Sequence, residues 1–201
     1  AAVCNLPQHA TMVPRIVDRY HDATIAQIHA AYAWYHEAQE FARALSAASD
    51  YPMRTVAGVI AALSPQSSWH RNKMDATTAV EYHYASGGIN GLSLHTKAQM
   101  GKVGRILDGE TPESVLRGPK ESAFYRNIAG DYSLATIDRW AFKTATGVAL
   151  PDAINGRVLG GVSRGAYKRI HAAFVDAATA LNIPVAVLQA IVWIVERGSA
   201  I

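Results

Sequence analysis

An apolar helix end, Ala61-Ala62-Leu63, stops at Ser64-Pro65-Gln66-Ser67-Ser68, and a short apolar run, Thr136-Ile137, ends on a carboxylate, Asp138, followed by Arg139. Between them lies an amine, Lys120, in Gly118-Pro119-Lys120. A polar side chain on a turn, an amine and a carboxylate on a helical scaffold point to chemistry on a nucleobase. An enzyme that acts on a base within a duplex must take it out of the stack. Something then fills the gap, and Gln66 has the length and polarity for that. Cleaving an N-glycosidic bond builds positive charge on the sugar, which a fixed carboxylate such as Asp138 stabilises, or the carboxylate orients a water. An amine such as Lys120 attacks the sugar and forms a Schiff base, provided it is partly desolvated and deprotonated. Trp69 and Tyr125 are candidates to stack on a base. Arg71, Arg126 and Arg139 are candidates to hold phosphates, and Ser67 and Asn72 complete the DNA-contacting set.

Each of these residues has a plainer reading. Aspartate is a favoured cap at a helix start, where the macrodipole also welcomes its charge. A lysine near a helix start is ordinarily solvated. Gln66 and Ser67 can simply end one helix while Ser68 caps the next. Trp34, Trp140 and Trp193 sit in apolar helices and read as core.

The elements that must position these side chains are helices. Apolar positions recur every three or four residues over most of the chain, and alternating strand patterns are absent. Asp22 is expected to cap a helix over 23–48, ended by Tyr51-Pro52. The next, over 54–63, is apolar nearly all round and so central, and Pro65 ends it. Further helices are expected over 68–85, 96–107, 111–116, 118–130, 138–146, 166–181 and 184–197, with glycines and prolines between them. Gly147 stops the helix that Asp138 opens. The glycine-rich run between Asn155 and Gly165 lacks the Gly-Lys-Ser/Thr of a P-loop. The fold class is all-α.

The chain has 201 residues, 50% hydrophobic and 17% charged, enough apolar surface for a real core and too few charges for long disordered tails. Net charge is +3, compatible with nucleic acid without demanding it. The single cysteine, Cys4, excludes an internal disulfide, a Cys-ligated iron–sulfur cluster and a Cys-based zinc site. The eight histidines form no ligand pair on one helix face. No metal, no other cofactor and no membrane span are expected, and the expected compartment is the cytoplasm.

Taken in order, several segments resemble the helix-hairpin-helix DNA glycosylase superfamily, the group that includes endonuclease III. Leu63-Ser64-Pro65-Gln66 is similar to its Leu-Ser-x-Gln turn, whose glutamine fills the hole left by an extruded base. Asn72-Lys73 sits near its Asn-Lys pair, and Lys97-Ala98 through Arg105-Ile106-Leu107 is similar to its Lys-Ala…Arg-Ile-Leu helix. Thr136-Ile137-Asp138-Arg139 resembles the Val-Asp-Thr-His segment that carries the catalytic aspartate. Lys120 precedes Asp138 by 18 residues, the separation of lysine and aspartate in the lyase-type members. The resemblance covers about 56–146. It departs at the hairpin: Leu116-Arg117-Gly118-Pro119-Lys120 keeps one glycine and loses the second, and Pro119 has no N–H for a phosphate.

The resemblance implies a two-lobed helical domain, residues 56–146 forming the glycosylase-like core and the N-terminal helix joining 147–201 in the second lobe. It implies DNA as partner, base flipping, and Asp138 and Lys120 as catalytic residues of a glycosylase. A second reading, from phage relatives that finish hypermodified thymines (the alpha-glutamyl/putrescinyl-thymine pyrophosphorylase group), has a small amine or amino acid displace pyrophosphate from the activated 5-methylene of a base. The glycosidic bond then stays intact. A third is an inactive DNA-binding protein that keeps the fold.

Overall fold

The computed structural model describes residues 6–150, 153–154, 157–158 and 162–198. Cys4 and most of the glycine-rich run between Asn155 and Gly165 lie outside the described residues. The elements are helices α1 (His9–His21), α2 (Ile25–Ser49), α3 (Met53–Leu63), α4 (Trp69–Ser86), α5 (Lys97–Leu107), α6 (Pro112–Val115), α7 (Pro119–Ile128), α8 (Arg139–Thr146), α9 (Arg164–Leu181) and α10 (Val185–Arg197). Two-residue strands β1 (Ala153–Ile154) and β2 (Arg157–Val158) pair antiparallel between α8 and α9. Among the described residues the regular structure is all helical apart from this pair. No single helix among the described residues is long and apolar enough to cross a membrane.

The helix starts follow from side chains that satisfy the first free N–H groups. Ser68 accepts from the amide of Arg71, Thr96 from that of Gln99, Ser163 from that of Ala166, and Asp138 from those of Trp140 and Ala141. Gly87, Gly147 and Gly198 close α4, α8 and α10 in the left-handed conformation that glycine adopts most cheaply. One expectation is corrected at the N-terminal end. Asp22 does not start α2; it is the C-cap of α1, a helix the sequence reading passes over. Thr24 and Gln27 cap α2 reciprocally, the Thr24 amide donating to Oε1 of Gln27 and the Gln27 amide to Oγ1 of Thr24.

The chain forms two compact units, a terminal one of Ala1–Trp34 with Tyr132–Ala200 and a central one of Tyr35–Asp131. The division falls before α8, where the sequence reading puts it after residue 146. The reason is packing: α8 lies against α1 and α10, both in the terminal unit.

In the central unit α3 is the buried axis, with Val56 to Leu63 all enclosed, and α4, α5, α6 and α7 pack around it. Its closest approach is at Gly58, where a Cβ would lie 2.7 Å from Cγ of Pro112. Polar ties brace the rim. Tyr51 and Asp108 flank His83, at 2.6 Å and 2.9 Å from its two ring nitrogens, and Lys102 binds Glu121 at 2.6 Å.

The terminal unit is built on Met12, Ile16, Ile137, Phe142, Ile170, Phe174, Leu188 and Val192. Beside this core the Glu196 carboxylate is 3% exposed and meets Arg19 Nε at 3.0 Å, Lys143 Nζ at 2.7 Å and Thr144 Oγ1 at 3.0 Å. Burial alone would push its carboxyl up, but the bonds from Lys143 and Thr144 and the charge of Arg19 more than offset this and hold it below the usual range.

Two stability predictions follow from these contacts. Gly58→Ala drives a methyl into the Pro112 ring and costs about 1–3 kcal/mol by overpacking, read as a fall in denaturant midpoint. Glu196→Gln removes charge-assisted bonds and costs about 2 kcal/mol at neutral pH. Because the folded carboxyl titrates below its unfolded value, that contribution is complete above the unfolded pKa. It fades as pH falls through the folded pKa, so the gap between wild type and variant closes in acid.

Candidate functional site

In the central unit the α3–α4 turn is the chemically conspicuous feature. Ser64 ends α3 by returning its hydroxyl to the carbonyl of Ala61 at 2.9 Å, and the Ser67 amide closes back on the carbonyl of Ser64 at 3.3 Å. Gln66, exposed at the tip, has φ +58°. The other non-glycine residues with positive φ among the described residues are Asp50 and Asn182, whose short side chains suit that region. Glutamine lacks that advantage and bears a cost of about 1–2 kcal/mol. A strained residue at an exposed tip is a functional candidate in its own right.

The turn is pinned from the segment that leads into α5. His95 stands 2.8 Å from the carbonyl of Pro65 through Nε2, while its Nδ1 lies 3.0 Å from the amide of Thr96. The amide can only donate, so Nδ1 accepts, and the ring is the Nε2–H tautomer that donates to Pro65. The starts of α4 and α5 thus converge on the turn, and neither first turn carries an acidic residue. Arg71 is exposed, its Nε at 2.8 Å from the buried carboxylate of Asp75. That bond ties the guanidinium to α4 through Nε while the side chain stays exposed. Ser67 is half-buried and donates to the carbonyl of Ser68 at 3.2 Å. Trp69 is half-buried, edge-on to Phe41 at 6.1 Å, with Lys73 over its ring at 5.6 Å.

Three expected DNA contacts read differently in the structure. Asn72 is 2% exposed; its Nδ2 donates to the carbonyl of Ile60 at 3.0 Å and ties α4 to α3. It lies on the inward face of α4 with Asp75, Ala76, Ala79, Val80 and His83. Tyr125 is completely buried. Its hydroxyl receives Arg54 Nε at 2.9 Å and donates to Glu113 at 2.9 Å, so its ring is core and not a stacking platform. Burial raises the Tyr125 pKa, with the bond from Arg54 opposing and Glu113 reinforcing the rise. Arg126 is exposed but paired with Asp131. Lys120, the second residue of α7, is exposed.

In the terminal unit Asp138 stands half-buried at the start of α8, its Oδ1 accepting from the amides of Trp140 at 3.0 Å and Ala141 at 2.9 Å. Arg139 follows, exposed, as the first helical residue. The segment before it, Ala135-Thr136-Ile137, is buried. Tyr167, from α9, crosses to it: the hydroxyl donates to the carbonyl of Ala135 at 2.9 Å and accepts from the amide of Ile137 at 3.2 Å. A pocket of about 590 Å3 in this unit, lined by Tyr132, Asn182 and Val185 among others, holds none of the candidate residues. Among the described residues no group of three or more His, Cys, Asp or Glu side chains could hold a metal ion.

His95 and Tyr167 are absent from the sequence reading. His95 had a faint signal, a histidine directly before the Thr96 cap. Tyr167 had none, because its partners lie about thirty residues away in the chain.

The geometry separates two roles of Asp138. Asp138→Ala removes the cap and lowers stability by about 1 kcal/mol. Asp138→Asn keeps an acceptor oxygen for the amides of Trp140 and Ala141 and unfolds at nearly the wild-type temperature. Thermal melts of both variants check this, and the asparagine form then isolates the contribution of the charge.

A family model described as "Family of unknown function (DUF7178)" matches residues 4–200. No curated protein and no solved structure matches the chain. With its match running over nearly the whole length, the chain belongs to the DUF7178 family.

Proposed function

We propose that this protein is a DNA-base-processing enzyme of the helix-hairpin-helix glycosylase kind, which flips a nucleotide and cleaves its N-glycosidic bond. The observation that carries the reading is the exposed Gln66, kept in a left-handed conformation on a turn braced by His95 and followed by the exposed Arg71. Gln66 fills the gap in the duplex, Arg71 holds a backbone phosphate, and Asp138 stabilises the developing charge on the sugar or orients the attacking water. Lys120 plays no covalent part. A lysine that attacks a sugar works in a site that encloses it with the substrate, and this one is on the surface. The reaction is therefore hydrolytic, without a Schiff base.

The same exposed Lys120 favours a second reading, in which a small amine or amino acid is installed on the activated 5-methylene of a base. That chemistry also needs a flipped base and a carboxylate but no lysine nucleophile.

Purified protein and Asp138→Asn are incubated with duplexes carrying uracil, oxidised bases, alkylated bases or modified thymines, and the strands are weighed by mass spectrometry. Asp138-dependent loss of a base supports the glycosylase. A mass change with the base retained transfers the assignment to the second reading. No change on any duplex removes the enzymatic reading and leaves DNA binding. On the active substrate, Gln66→Asn keeps the melting temperature, since asparagine suits positive φ. It slows turnover about ten- to a hundredfold, the size of a few kcal/mol of unstacking left uncompensated. Borohydride traps no adduct with wild type or with Lys120→Ala.

A further inference from the structure

We propose that Tyr167 is a positioning residue for the Asp138 carboxylate, acting through the buried segment that leads into it. Its catalytic consequence rests on the function proposed above; its structural consequence stands without it.

Residues 134–138 form neither helix nor strand, yet 135–137 are buried, Ala135 at 0% and Ile137 at 1% exposure. Irregular backbone inside a core must find partners for its N–H and C=O groups outside any ladder. Tyr167 supplies two with one atom. Its hydroxyl donates to the carbonyl of Ala135 and accepts from the amide of Ile137, three residues and one residue before Asp138. Both hydrogen-bonding capacities of the phenol oxygen are thereby used on the backbone that aims the carboxylate.

The tyrosine itself is held. It is 6% exposed, on the inward face of α9 with Ile170 and Phe174, and the ring of His171, one turn on, stacks with it at 6.4 Å and 21°. His171 Nε2 is buried without a hydrogen-bond partner, and burial lowers its pKa, so the stacked ring is neutral. An uncharged imidazole can lie against the phenol without drawing water toward the hydroxyl.

The segment continues directly into the cap. If 135–137 shifts, Asp138 shifts, and the bonds from Oδ1 to the amides of Trp140 and Ala141 loosen. Displacement of a catalytic group by about 1 Å is enough to slow a reaction about a hundredfold.

The test is Tyr167→Phe, which keeps the ring and removes the oxygen, compared with Ile170→Val, which weakens the same core and touches no polar group. Amide hydrogen exchange on the full-length protein reads the cap directly. Tyr167→Phe should raise exchange at Trp140 and Ala141 at least about tenfold more than at core amides of α1 and α10, and Ile170→Val should not. On an active duplex substrate, Tyr167→Phe should lower kcat about ten- to a hundredfold with KM unchanged. Exchange at Trp140 and Ala141 equal to wild type overturns the proposal. So does acceleration spread evenly over the unit, as in Ile170→Val, because the hydroxyl then serves stability alone. Selective loosening with unchanged kcat overturns the catalytic consequence. Selective loosening in a protein inactive on every substrate upholds the positioning role and counts against the base-processing reading instead.

Discussion

A carboxylate enclosed among three helices is the fixed point of the terminal unit. Taking Glu196 out of water costs several kcal/mol unless cations and hydrogen bonds answer it. Arg19 from α1 and Lys143 and Thr144 from α8 do so around α10. None of the three can move far without leaving the charge exposed to its apolar surroundings, so the arrangement of α1, α8 and α10 is tightly constrained. Helix α8 most needs this, since eight residues are too few for a helix to persist alone. Its far end is held as well, by Arg15 donating to the carbonyl of Thr146 at 2.5 Å. The carboxylate at its near end, Asp138, is therefore fixed from both sides: by the anchors of the helix behind it and by the buried segment in front.

Local grammar was legible in the sequence and long-range pairing was not. Ser68, Thr96 and Asp138 were readable as helix starts, and Gly87 and Gly147 as stops, because a cap is decided within four residues. Helix α1 was missed: it has Pro14 in its interior and opens at Gln8, whose side chain makes no capping bond. The phase of α4 was available but underused. Asn72 falls in step with Ala76, Ala79 and Val80, so its amide had to turn inward, whatever its polarity suggested. Tyr125 misled for a different reason. A tyrosine directly before Arg126 looks exposed, but its hydroxyl finds Arg54 and Glu113, partners 71 and 12 residues away, and the ring is then free to be buried. Tyr167 and Glu196 draw their meaning from partners that no local window contains.

The central unit spends stability at one place. Its axis, α3, is enclosed on every side, yet it ends in a turn whose tip holds a glutamine where glycine or asparagine would relieve the backbone. The surrounding structure tolerates this because His95 holds the preceding carbonyl and Ser64 closes the end of α3. Local strain kept in a well-braced loop fits a side chain selected for what it reaches rather than for how it folds.

Under the proposed function, the hairpin argues for a division of labour between the residues that bind and the one that reacts. A helix-hairpin-helix turn that grips phosphate offers backbone N–H groups, and here Pro119 withdraws one at the first position of α7. Lys120, next in line, is exposed. Under the proposed function it is suited to meeting a phosphate in place of the lost backbone contact, rather than to covalent chemistry. Under the proposed function the chemistry rests on Asp138. A catalytic carboxylate must be aimed well, because small displacements slow a reaction steeply. Three features of the terminal unit serve that aim: the buried Glu196 cluster behind α8, the double cap on Oδ1 of Asp138, and the hydroxyl of Tyr167 bonded to the backbone that precedes it.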